Sequence, residues 1–183
     1  SLDKQVIASM SQFLWCTKRD LEDAIESRLK NLSWSVTLSN ITNTRDLRNW
    51  YFQLTIPKTT PGEFRTLSIP NDTLKSIQSK ILNTFRAIPI SSVSQWWEIG
   101  TSFVKNAKIH VPNKYLYVSD ISNAYPSVSS QRIYKNIEWP VSKIIDLSFP
   151  YLTVEQRKQF LMIIVLLVSY RNELPQWAPT STR

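Results

Sequence analysis

The sequence predicts an α+β fold, on three observations. Apolar residues recur at helical spacing in several stretches, and two β-like runs flank a Pro-Gly turn between residues 50 and 69. A third signal is the aromatic, apolar run over residues 115–118, which reads as a strand ending near one carboxylate, Asp120. At 183 residues, 42% hydrophobic and 11% aromatic, the chain is long enough and apolar enough to bury a core.

Thr17 reads as an N-cap, and Leu21, Ile25, Leu29 and Leu32 follow on one face, which predicts a helix over 17–31. Residues 40–46 read as a polar loop. The runs 50–57 and 63–69 form a predicted β-hairpin whose tip, Lys58-Thr59-Thr60-Pro61-Gly62, is basic and leaves Gly62 free to take a positive φ. Beyond Pro70, a helix capped by Asn71 or Asp72 presents Leu74, Ile77, Ile81, Leu82 and Phe85 until Pro89 stops it.

A loop with Trp96, Trp97 and Gly100 leads to an amphipathic segment around 101–109, the turn Pro112-Asn113-Lys114 and the strand carrying Asp120. A short helix is predicted over 129–137, with Pro140 ending it. Thr153 and Gln156 stand at capping-box spacing and predict a helix over 153–171. Its apolar run, residues 160–168, is about half the ~20 residues that a bilayer span needs. Residues 174–181 hold Pro175 and Pro179 and read as a fixed, non-helical loop.

Cys16 and His110 are each the sole residue of their kind, which excludes an intramolecular disulfide and a cysteine- or histidine-built zinc site, and fits a reducing compartment. The net charge of +8 is uneven: residues 51–119 hold eight Lys/Arg against three Asp/Glu. That distribution favours a phosphate-bearing partner. Asp120 alone reads in two ways, as a turn or cap residue, or as a carboxylate held rigidly for a metal ion with Tyr125 five residues on.

Four segments carry a more specific signal. They are Ile56-Pro57-Lys58 with Gly62 to Pro70 and Leu74 to Gln78; Phe103 to His110; Asp120-Ile121-Ser122-Asn123-Ala124-Tyr125-Pro126-Ser127-Val128; and Leu174-Pro175-Gln176-Trp177-Ala178-Pro179-Thr180-Ser181. In this order they resemble bacterial reverse transcriptases of the retron and group II intron type. The resemblance implies a right-hand polymerase: an N-terminal helical segment (1–49), fingers (50–111) and a partial palm (112–183), with the thumb absent. It implies an RNA-directed DNA polymerase that joins a dNTP to the 3′-OH of a DNA or RNA primer on an RNA template.

The same resemblance assigns roles. Asp120 would be catalytic and would bind both ions of a two-Mg²⁺ site, with the Ile121 carbonyl as a further ligand. Tyr125 would lie under the sugar, Arg65 would clamp the triphosphate with help from Lys58, and Gln176 would lie against nucleotide and template. Lys75, Lys80, Lys105 and Lys108 would meet nucleic-acid phosphates, or be solvated helix faces. His110 would make a structural hydrogen bond.

Two departures qualify the implied activity. The Tyr-x-Asp-Asp segment that supplies the family's remaining carboxylates is not in the sequence, and Trp177 stands where the family has Gly. The chain is therefore expected to be an N-terminal fragment of a bacterial or phage-encoded cytoplasmic enzyme, inactive alone. The alternative is a non-catalytic RNA-binding module derived from a reverse transcriptase. No secretory leader is recognised. Retron, intron, diversity-generating and phage-defence roles share these residues.

Overall fold

The fold is organised around one helix that is apolar on nearly every side. The computed structural model describes residues 2–33, 51–86, 102–176 and 178–182. In order these form helices α1 (Lys4–Phe13) and α2 (Lys18–Ser33), strands β1 (Tyr51–Pro57) and β2 (Phe64–Pro70), and helices α3 (Asp72–Phe85), α4 (Phe103–His110), α5 (Ser130–Ser148) and α6 (Val154–Val168). The segment 160–168 gives α6 no polar stripe, so it is covered by α1, α2, α3 and α5. Phe160, fully buried, meets the rings of Phe13 at 5.4 Å and Phe149 at 6.0 Å. Burying such a side chain stabilises the fold by about 1.5–3 kcal/mol.

The predicted caps are present. The Thr17 hydroxyl accepts from the Asp20 N–H at 3.0 Å, and Asn71 caps α3 by accepting from the Leu74 N–H at 2.9 Å. At α6 both halves of the capping box form, Gln156 N–H to Thr153 at 3.3 Å and Thr153 N–H to Gln156 at 2.9 Å. Helix α1 has no counterpart among the elements expected from the sequence. Its signal is Asp3 before Val6, Met10 and Leu14, one buried position per turn. Asp3 Oδ1 accepts from the Gln5 and Val6 N–H groups, and its Oδ2 accepts from the Gln156 side chain at 3.1 Å, which joins the starts of α1 and α6.

The hairpin forms in the expected place, antiparallel with Tyr51 opposite Pro70 and Pro57 opposite Phe64. Gly62 adopts φ +84°, the left-handed conformation that its turn requires. A hydrogen-bonded chain fastens the hairpin to the core. The buried Gln78 amide on α3 donates to the Tyr51 hydroxyl at 2.7 Å and to the Leu167 carbonyl on α6 at 2.9 Å.

Four expectations are corrected. Pro140 does not end a helix at 137 but lies inside α5, because the apolar face resumes after it with Val141 and Ile145, both fully buried. Residues 115–120 are irregular and exposed rather than a strand, since a strand needs a ladder partner and none pairs with them among the described residues. Helix α6 stops at Val168, where Ser169 turns extended. The C-terminal loop closes with a 3₁₀ turn, Pro179–Thr182, packed on α3. The polar loop 40–46, Pro89, Trp96, Trp97, Gly100 and Trp177 lie outside the described residues.

Candidate functional site

Three segments distant in sequence converge on an open cleft of about 290 Å³. The hairpin contributes Gln53, Thr66 and Ser68. Gln53 stands opposite Ser68 and Thr55 opposite Thr66, and facing residues of an antiparallel pair project to the same side. The second wall is Tyr125 with Pro126, and the third is the stretch from Tyr170 to Gln176.

Backbone hydrogen bonds explain why Tyr125 and Gln176 share this cleft. Residues 122–127 form turns, in which Asn123 takes φ +53° and its carbonyl accepts from the Ser127 N–H at 3.1 Å. The Val128 carbonyl then accepts from the Leu174 N–H at 3.0 Å, and the Asn172 carbonyl from the Ser130 N–H at 3.3 Å. Between these ties Tyr170 and Glu173 exchange backbone bonds of 2.9 and 3.0 Å across a two-residue turn. Its central residues, Arg171 at φ +52° and Asn172 at φ +63°, are both left-handed. Asn tolerates that conformation and Arg is strained by it. The Arg171 guanidinium lies 5.2 Å from the Tyr170 ring, and Tyr170 stacks at 4.4 Å on Tyr51, the residue held by Gln78.

The other residues singled out from the sequence lie elsewhere. Arg65 stands opposite Ile56, on the hairpin face turned away from Gln53 and Ser68, and does not line the cleft. Lys58 at the hairpin tip is paired with Glu63 at 3.0 Å. Lys75, Lys105 and Lys108 are exposed on α3 and α4, and His110 is exposed at the end of α4. Lys80 is half-buried and donates to the Trp15 carbonyl after α1, so its ammonium closes a helix junction. The neighbouring Cys16 thiol is pushed up from its ordinary value by burial, with Lys80 opposing, which leaves it a poor nucleophile.

Asp120 is exposed, and its Oδ1 accepts from the Ile121 N–H at 2.9 Å. Among the described residues no group of three His, Cys, Asp or Glu side chains is placed to hold a metal ion. One exposed carboxylate does not hold two Mg²⁺ ions against water, so Asp120 with the other described residues does not make a two-metal centre.

Sequence reasoning missed Gln53, Thr66, Ser68, Tyr170, Arg171 and Glu173. The hairpin residues were legible as the alternate polar positions of two facing strands, whereas the Tyr170–Glu173 turn carries no glycine to mark it. No protein-family model, curated protein or solved structure matches this chain.

Proposed function

We propose that this chain is the fingers and first palm segment of a bacterial-type reverse transcriptase, an RNA-directed DNA polymerase. The observation that carries the reading is the pairing of Tyr125 and Gln176 in one cleft against the polar face of the hairpin. The resemblance assigns both residues to the nucleotide, from two motifs in separate parts of the sequence. The cleft's hydroxyls, amides and aromatic rings suit a sugar and a base, which are bound by stacking and edge hydrogen bonds. In this reading Tyr125 packs on the sugar, Gln176 contacts the nucleotide, and Asp120 supplies one of several metal carboxylates. The resemblance assigns the others to the Tyr-x-Asp-Asp segment, which is not in this sequence.

The test is primer extension on an RNA template by the natural gene product that encompasses this sequence. Wild-type protein should incorporate deoxynucleotides, and Asp120→Asn should abolish incorporation while leaving the circular-dichroism spectrum unchanged. Near-normal extension by that variant would remove Asp120 from the metal site. That Asp120 joins no group of three metal-binding side chains among the described residues favours a second reading, a non-catalytic RNA-binding module. RNA binding without Mg²⁺-dependent incorporation by the same gene product would select it.

A further inference from the structure

We infer that the outer face of α5 is a binding site for single-stranded nucleic acid, separate from the cleft. Arg132, Lys135, Trp139 and Lys143 recur at three- and four-residue spacing and so form one stripe, about 16 Å long at the rise of an α-helix. All four are exposed, opposite the face that buries Ile133, Val141 and Ile145 in the core. No carboxylate pairs with Arg132, Lys135 or Lys143 among the described residues. The two acids of α5 are engaged elsewhere. Asp146 is bound to Arg157 at 2.7 Å, and Glu138 accepts from the Tyr134 hydroxyl at 3.3 Å.

Trp139 identifies the occupant as more than a generic polyanion. The residue is 68% exposed, and the Lys143 ammonium lies over its ring, 4.3 Å from the centroid. A large exposed ring on a cationic stripe matches the alternating bases and phosphates of a single strand: a base stacks on the side of the ring that Lys143 does not cover, and the flanking phosphates meet the ammonium and guanidinium groups. A duplex, with its bases already stacked internally, offers no such face. The stripe also starts beside the cleft, because the first turn of α5 is bonded to the Arg171–Asn172 turn through Ser130. Strand binding here needs neither a metal ion nor nucleotide transfer, so it stands or falls apart from the polymerase reading.

The test is fluorescence anisotropy of a labelled 20-nucleotide oligouridine titrated with the purified protein, without Mg²⁺, at several salt concentrations. Trp139→Ala should weaken binding about tenfold, and Trp139→Phe should restore most of it. The double variant Lys135→Gln/Lys143→Gln should lower the salt slope by about 0.7 for each phosphate that is no longer neutralised. Competition by unlabelled RNA and DNA strands of the same length separates the two sources of the ligand. Because the substituted side chains are exposed, an unchanged thermal midpoint would show that folding is intact. Failure of the wild-type protein to bind, unaltered affinity in Trp139→Ala, or an equal effect from Lys4→Gln/Lys18→Gln, which alters exposed lysines of α1 and α2, would overturn the site.

Discussion

Gln78 shows how a single buried amide ties three elements together. It lies in the apolar interior, yet its amide nitrogen serves the Tyr51 hydroxyl on β1 and the Leu167 carbonyl, one of the α6 carbonyls without an intrahelical partner. Gln78→Leu keeps the volume close and removes both bonds, leaving the Leu167 carbonyl buried and unpaired. The substitution also removes the buried Gln78 Oε1, which has no hydrogen-bond partner among the described residues, so the expected net loss is about 1 kcal/mol, read from urea denaturation. A variant as stable as wild type would show that the amide is not needed to seat the hairpin. Asp3 acts at the surface instead. The Gln156 side chain and the Gln5 and Val6 N–H groups lower its pKa below the ordinary 3.8. A carboxyl depressed in the fold stabilises it above the unfolded value, and that contribution is lost as pH falls through the lower folded value. Asp3→Asn should therefore reduce stability at neutral pH and flatten the decline below about pH 4, which thermal midpoints from pH 2 to 7 would reveal. Neither role was legible by residue type. Gln78 is a polar letter on an otherwise apolar face, and the partner that lowers the Asp3 pKa is 153 positions away.

At the scale of elements, the sequence was read best where signals were local. The caps at Thr17, Asn71 and Thr153 and the left-handed Gly62 depend only on neighbours within a few residues, and each is found. The misreadings came where tertiary packing outweighed a local rule. Residues 115–120 have the composition of a strand but no partner among the described residues to complete a ladder, and Pro140 breaks helices in general but not α5. In α5 the ring sits between two buried stretches, and burial of Val141 and Ile145 offsets the missing N–H and the crowding against the preceding turn. Pro140→Ala should then relieve part of that cost. An increase of about 1 kcal/mol, or roughly 2–4 °C in thermal midpoint, is expected. A lower midpoint would mean that Pro140 itself helps to seat Val141 and Ile145 against the core.

For the molecule as a whole, core and cleft are built from different parts of the same segments. Helix α6 supplies the apolar centre, while the irregular chain that follows it supplies Tyr170, Arg171 and Gln176 to the cleft. The residues at the two ends of this site, Tyr125 and Gln176, were legible as motif members, but their juxtaposition was not. It depends on the bonds from residues 128 and 130 to residues 174 and 172, which no spacing rule encodes. This division predicts that stability and substrate choice separate under mutation. Phe160→Ala, deep in the ring cluster with Phe13 and Phe149, should cost about 3–5 kcal/mol, a large share of a typical domain's stability. Tyr125 is only half-buried and lies in the cleft wall, so Tyr125→Ala should leave the thermal midpoint nearly unchanged. If it packs under the sugar as proposed, removing its ring opens room for a 2′-hydroxyl. The natural gene product should then incorporate ribonucleotides more readily relative to deoxynucleotides, measured as the ratio of kcat/KM for the two in primer extension. An unchanged ratio with intact folding would take Tyr125 out of sugar selection and leave it a wall residue.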